Sequence, residues 1–381
     1  MHIELDEEQK LLRQEVRRFA EEVVKPIAKE IDAKGVFPRD AIRQAAELGL
    51  TGVAVPERWG GAEMDTVSYC LVIEEVSRVC ASTGVILSVN NSLVCDPLLK
   101  FGTDEQKERF LKPLASGEKL GCFALTEPDA GSDPAALRTS ARRDGDHYVI
   151  DGNKVFITNG TDADVALVFA TVDPALKHKG MVCFIVPEDT AGYSHGVHEY
   201  KLGVNGSGTT ELAFQGMRVP ASQRLGAEGD GFKIAMATLD GGRVGIAAQA
   251  VGIAQGAFEE ALSYSKERQQ FGQPISSFQA IQHYLADMST EIDAGRLLTW
   301  KAAWAKENRR RYSLEAAQAK LFTSEMAQRV TDRALQIHGG YGYIREYNVE
   351  RYFRDARITE IYEGTSEIQK LVIADWVLNK T

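Results

Sequence analysis

The sequence predicts a three-part protein in which two helical regions flank a β-rich one. Three observations predict it. Apolar residues recur at three- and four-residue steps near the start of the chain. Short β-branched segments fill the middle, and long Ala-rich helical patterns fill the end.

Residues 3–120 read as helical. Leu5, Leu11, Leu12, Val16, Phe19 and Val23 place an apolar stripe on one face. Pro26 kinks or ends that helix, because it has no amide hydrogen to donate. Residues 40–48, 66–79 and 104–114 predict further short helices. The character changes near Gly121. Tyr148-Val149-Ile150, then Asp151-Gly152, then residues 153–158 predict a hairpin, since Asp-Gly supplies the positive φ of a type I′ turn. Residues 165–172, 181–186 and 210–214 predict more strands. From Gly231 the patterns at 232–266, 278–308 and 313–338 far exceed the usual helix of ~10–14 residues. Long helices with short connections predict an antiparallel bundle. A last helix is expected over 366–378, with Ile368, Leu371, Val372 and Trp376 on one face. The expected domains are 1–120, 121–226 and 227–381.

Composition narrows the function. The chain has 381 residues, 44% hydrophobic and 26% charged, enough for two or three packed units. No apolar run approaches the ~20 residues of a membrane span. The start, MHIELDEEQK, has no leader or transit pattern. The expectation is a cytoplasmic chain, or a mitochondrial matrix chain whose transit peptide has been removed. Cys70, Cys80, Cys95, Cys122 and Cys183 have no metal-ligand spacing and read as buried, reduced thiols. A net charge of −10 counts against nucleic-acid binding but not against an anionic ligand. No GxGxxG follows a strand, and GxxxxGK[ST] and GxSxG are absent. His195, His198 and Glu199 lie close together without the HExxH order. They read as solvated loop residues, and no metal site is expected.

Four segments carry chemistry. Leu125-Thr126-Glu127-Pro128-Asp129-Ala130-Gly131-Ser132-Asp133 is dense in turn formers and donors. Val155-Phe156-Ile157-Thr158-Asn159 offers an aromatic face and a hydroxyl for a flat ring. Glu267-Arg268-Gln269-Gln270-Phe271-Gly272 places an Arg at a helix end, for a phosphate or for the helix dipole. The fourth runs from Arg357 to Ile368. There Ile361 and Tyr362 can desolvate Glu363 and raise its pKa toward that of a useful base. Gly364 permits close approach of a ligand, and Thr365 and Ser366 can cap the next helix. Glu360 and Glu367 are rival carboxylates.

Together these segments closely resemble the acyl-CoA dehydrogenase family. CFALTEPDAGSD, FITNG, ERQQFG, QIHGGYGY and ARITEIYEGTSEIQ look most like its short-chain (butyryl-CoA) branch. The resemblance implies a multidomain α+β fold: an N-terminal helical domain, a central β-barrel-like domain and a C-terminal four-helix bundle. It implies FAD as cofactor. Phe123, Leu125, Thr126, Gly131 and Ser132 would line the flavin, and Phe156 and Thr158 would pack on and bond to it. Many relatives carry Trp at the Phe156 position. Arg268, Phe271, Gln279, Gln336, Gly339 and Gly340 would reach the FAD of a neighbouring subunit. Thr365, Ser366 and Glu367 would contact FAD near the last helix. Ser132, Asp240, Arg243 and Gly364 match positions that contact the CoA thioester, although Arg243 could instead form a bundle salt bridge.

The implied reaction is α,β-dehydrogenation of a short-chain acyl-CoA to the trans-2-enoyl-CoA. Glu363 would take the α-proton and flavin N5 the β-hydride. The thioester oxygen would bond to the Glu363 backbone N–H and a flavin hydroxyl. Electrons would pass to an electron-transferring flavoprotein, and the assembly would be a homotetramer. Some branches carry the base within the stretch matching Asp240–Arg243. Here Gly241 and Gly242 stand there. A branched-chain dehydrogenase, an oxygen-using acyl-CoA oxidase and a non-catalytic oligomeric scaffold are the alternatives. The stretch from Ser88 to Leu93 offers no cation for a dicarboxylic acyl chain.

Overall fold

The computed structural model describes residues 4–309 and 311–379. Asp6 opens the first helix with a capping box. Its carboxylate accepts from the Gln9 N–H at 2.8 Å, and Gln9 Oε1 accepts from the Asp6 N–H at 3.2 Å. That helix, α1 (Glu7–Phe19), buries Val16 and Phe19. A π-helical turn, Ala20–Val24, and a 3-10 turn, Lys25–Ile27, carry the chain past Pro26 into α2 (Ala28–Lys34). Pro26 therefore shifts the hydrogen-bond ladder rather than ending the helical path. The N-terminal domain continues through α3 (Arg39–Glu47), α4 (Thr66–Ser77), α5 (Ala81–Ser88), α6 (Asp96–Phe101), α7 (Asp104–Gln106) and α8 (Lys112–Ala115). A π-helical segment, Val89–Cys95, joins α5 to α6. The sequence pattern did not predict α5, because every one of its residues is buried and no polar face interrupts the run.

The middle domain holds β1 (Gly121–Ala124), β2 (Ser140–Asp144), β3 (His147–Ile157), β4 (Val165–Thr171), β5 (Met181–Pro187), β6 (Tyr193–His198), β7 (Thr210–Pro220) and β8 (Arg224–Leu225). They form one mixed sheet in the order β6-β7-β3-β2-β4-β5-β8, with β1 parallel to β4. β2 and β4 meet only at Ser140 and Thr171, so two four-stranded halves join through a single pair. All of β4 is buried. Ala166, Val168 and Ala170 face the core between the halves, while Val165, Leu167 and Phe169 face the helical core. That explains its unbroken apolar run.

Two readings of the middle domain need correction. Asp151-Gly152 is not a hairpin turn. β3 runs straight through it, with Ser140 paired to Asp151 and a register shift against β7 between Ile150 and Gly152. Gly152 is needed there because a Cβ would sit 2.5 Å from the Thr139 Oγ1. The turn instead joins β2 to β3 at Gly145, where φ is 62°. His195 and His198 lie on β6 rather than in a loop. They are exposed, and no cluster of metal-ligating side chains occurs among the described residues. All five cysteines are free and buried.

The C-terminal domain is α9 (Gly231–Glu267), α10 (Gln279–Asn308), α11 (Ser313–His338), α12 (Val349–Ile358) and α13 (Ser366–Asn379). A two-stranded hairpin, β9 (Gln269–Gln270) with β10 (Gln273–Pro274), links α9 to α10. α9 is the central element, packed on α4, α10 and α11. Its fit on the N-terminal domain is tight: a Cβ at Gly256 would lie 2.0 Å from the Arg78 carbonyl oxygen. No described helix is long and apolar enough to cross a membrane.

Candidate active site

Glu363 lies in the short loop between α12 and α13. Its backbone is left-handed, with φ 53°, a conformation that L side chains rarely adopt. Gly364 follows at φ 95°. The turn is pinned from both sides. Ser366 N–H donates to the Glu360 carbonyl at 2.9 Å, and Lys320 Nζ and Gln369 Nε2 donate to the Gly364 carbonyl at 2.7 and 2.9 Å. Among the described residues the Glu363 N–H meets no acceptor within the chain. The rival carboxylates point elsewhere: Glu360 pairs with Arg357, and Glu367 is exposed.

The Glu363 carboxylate reaches back against α9. Its Oε2 is shut off from solvent and has no hydrogen-bond partner. Burial pushes the carboxyl up to about 8, and the Lys320 and Arg243 charges hold back part of that rise. A Cβ at Gly242 would lie 2.0 Å from that Oε2 and 2.8 Å from the carboxyl carbon. Gly242 is thus the empty space that the carboxylate fills. A side chain there and the Glu363 carboxylate exclude one another.

The neighbours are partly accounted for. Arg243 donates to Asp240 at 2.7 Å and Asp240 bonds to Ser313, while the buried Arg243 Nε has no partner. Tyr362 bonds to Gln249, which donates in turn to the Ala81 carbonyl at 2.9 Å. A small cavity nearby in the chain is lined by Tyr69, Asn91, Ser92, Asp96 and Lys306. Sequence reasoning missed this lysine, which comes from α10. Its charge is met by Asp96 at 3.1 Å.

The second group of predicted residues belongs to the middle domain. Phe123 and Leu125 are buried, with the Phe123 ring 4.9 Å from Phe169. The loop after them is braced by Lys154, which donates to the Leu125 carbonyl at 3.0 Å and to Glu127 at 2.7 Å. Glu127 also accepts from the N–H groups of Arg138 and Thr139. Gly131 and Ser132 are exposed, and nothing lies within 4 Å of where a Gly131 Cβ would be. Phe156 sits in a bulge where β3 slips against β7, at φ 58°, and the residue is 65% exposed. A strained backbone that turns a large aromatic outward suits a residue awaiting a flat partner. The Thr158 hydroxyl has no partner among the described residues, nor does the buried Ser366 Oγ.

The third group gathers at the far end of the bundle. Arg268 follows the last residue of α9, roughly 39 Å from Gly242 at 1.5 Å per residue. It stacks over Tyr341 and, with Gly339 and Gly340, lines an open cavity of about 490 Å³. Gln336 and Gln279 are exposed on α11 and α10. Phe271, at φ 53°, forms the tip of the β9–β10 hairpin and is 93% exposed. The chain does not bring this group to Glu363.

Three family models match, described as the N-terminal, middle and C-terminal domains of acyl-CoA dehydrogenase, over residues 6–118, 122–217 and 229–378. The chain belongs to the acyl-CoA dehydrogenase family. It is 51% identical to the short-chain specific acyl-CoA dehydrogenase, mitochondrial, of Bos taurus, covering 99% of this chain and 91% of that one. The structure of butyryl-CoA dehydrogenase from Megasphaera elsdenii superposes with a TM-score of 0.98 at 44% identity, both chains covered in full. A glutaryl-CoA dehydrogenase from Mycobacterium smegmatis in complex with FADH2 gives 0.93 at 33% identity, covering 99% of this chain and 96% of that one. This member of the family keeps the helical, β-sheet and helical domains in that order.

Sequence reasoning missed Lys320 and Gln369. Lys320 is fully buried on α11 within the apolar register of Ala316, Thr323 and Ala327. A lysine on that stripe was the available signal.

Proposed function

We propose that this enzyme carries out FAD-dependent α,β-dehydrogenation of short straight-chain acyl-CoA thioesters, with Glu363 as the base. One observation carries the reading: a carboxylate whose Oε2 is shut off from solvent and unpartnered stands on a strained turn whose own N–H is free. The free N–H can donate to the thioester oxygen and stabilise the enolate that forms as the α-proton leaves. The raised carboxyl makes the base stronger than a carboxylate in water. Water exclusion strengthens both effects. The α C–H bond breaks toward Glu363, and its electron pair becomes the new C–C double bond as the β-hydrogen departs as hydride.

The residues fit a flavin. Exposed Phe156, the free Thr158 hydroxyl, open Gly131 and Ser132, and the unpartnered Ser366 Oγ would hold it, with Thr126, Thr365 and Glu367 beside them. FAD, when bound, supplies the two-electron acceptor for the β-hydride. Arg268, Phe271, Gln279, Gln336, Gly339 and Gly340 lie too far along the bundle to join the same site within one chain. The reading assigns them to the flavin of a neighbouring subunit in a homotetramer, with an electron-transferring flavoprotein as the electron acceptor. The domains are taken as 1–120, 121–226 and 227–381.

Anaerobic bleaching of the flavin against a panel of acyl-CoAs tests this. C4 chains should bleach it fastest. A protein that purifies without flavin and cannot be reconstituted sinks the reading, and rapid hydrogen peroxide release on turnover moves it to an oxidase. Sedimentation of the holoenzyme checks the tetramer.

A further inference from the structure

Glu363 is not the only ionisable group packed into this turn. Lys320 is 0% exposed, and its ammonium donates to the carbonyl of Gly364, the residue directly after the base. No ion pair within 4.0 Å joins Lys320 to Glu363 among the described residues, and Glu363 Oε2 stays unpartnered. The lysine therefore grips the backbone of the turn and leaves the carboxylate bare. A buried amine has no structural need to be there, because Gln369 already donates to the same carbonyl. What the amine adds is a positive charge in a dry site.

We propose that Lys320 is a positioning residue for the base: it holds the left-handed turn through Gly364 and its charge keeps Glu363 ionised enough to accept the substrate proton. This rests on the reading of Glu363 as the base.

The electrostatic setting supports it. Burial alone pushes Glu363 up. Lys320 is the first charge opposing that rise and Arg243 the second. Arg243 is already engaged by Asp240 at 2.7 Å, so Lys320 is the freer of the two cations. Burial pushes Lys320 itself down to about 8, and Glu363, Glu360 and Glu367 pull it back up while Arg243 opposes them. The other groups facing Glu363 are the hydroxyls of Tyr69 on α4 and Tyr362 beside it. Burial holds both well above the ordinary phenol value, so they stay neutral. From α13, Lys370 is exposed and paired with Glu325. The charge balance at the base therefore rests first on Lys320 and second on Arg243.

The test compares Lys320→Gln, which can still donate to the Gly364 carbonyl, with Lys320→Arg, which keeps the charge. Flavin content and thermal midpoint are measured first. In the full-length holoenzyme the pH profile of anaerobic flavin bleaching is then recorded. Lys320→Gln should move the rising limb to higher pH by roughly one unit, with bleaching near pH 7 falling about tenfold. Lys320→Arg, which keeps the charge, should leave the limb close to that of the parent enzyme. A second readout needs no turnover. The infrared band of the protonated carboxyl, identified as the one missing from Glu363→Gln, should titrate at higher pH in Lys320→Gln. An unmoved profile and an unmoved band overturn the proposal. So does failure of both variants to fold, which would make Lys320 a structural strut. A Glu363→Gln enzyme that still turns over sinks the base assignment instead, so the two failures are distinguishable.

Discussion

Two regions of the molecule hold enclosed carboxylates in opposite ways. Where α1, α4 and α9 meet, Glu75 is 1% exposed and accepts from Arg13 at 2.7 Å and from Arg78 at 3.1 Å. Arg78 also reaches Glu21 and Glu259, and Arg296 reaches Glu74. Every charge there has a partner of opposite sign. After the end of α12, the Glu363 Oε2 is shut off from solvent with no partner, and no cation forms an ion pair with it among the described residues. The first arrangement resists change. The second stores an unsatisfied carboxylate, which a substrate proton can satisfy.

The two arrangements should respond differently to substitution. The largest effect is expected from Glu363→Gln, which should lose about 10²- to 10⁴-fold in anaerobic bleaching rate while keeping FAD. Its thermal midpoint should not fall, because no partner is lost. Arg78→Ala should do the reverse. It removes one of the two arginines that bond buried Glu75, along with the pairs to Glu21 and Glu259, and should cost roughly 1–3 kcal/mol of stability, with bleaching per folded molecule little changed. Denaturant titration and rate measurement on the same sample separate these outcomes. Gly242→Ala should cost roughly 1–3 kcal/mol and slow bleaching, because its methyl needs the space of the Glu363 carboxylate.

The pH dependence is a subtler test. Folded Glu363 holds its proton more tightly than the unfolded chain does. Its cost to stability is therefore absent below the ordinary carboxylate range, grows as pH rises, and levels off above about 8. Glu363→Gln should remove that decline, so its stability advantage over the parent should widen from pH 5 to pH 8. A constant difference across that range would mean the carboxyl is not raised. The smallest effect belongs to Lys34→Ala. This lysine pairs with Glu30 at 2.7 Å on the open surface, and no change in the midpoint is expected.

The order of helical, β-rich and helical regions was legible because amphipathic and alternating patterns report which side of an element meets solvent. Where there is no such side the pattern is silent, as in α5. Asp151-Gly152 misled for a related reason. The dipeptide permits a turn, but Thr139 packing against Gly152 keeps the strand going. Glu363 stood out in the sequence through Ile361, Tyr362 and Gly364 around it. Lys320, 43 residues away, did not, since only the fold sets it against the same turn.

Local pattern and contiguous motifs carried most of the elements, the family and the candidate base. The tertiary structure decided how that base is held. The gap at Gly242, the grip of Lys320 on Gly364 and the outward turn of Phe156 come from segments distant in the chain. Burial raises a carboxyl only when several such segments close around it, and no local pattern encodes that closure.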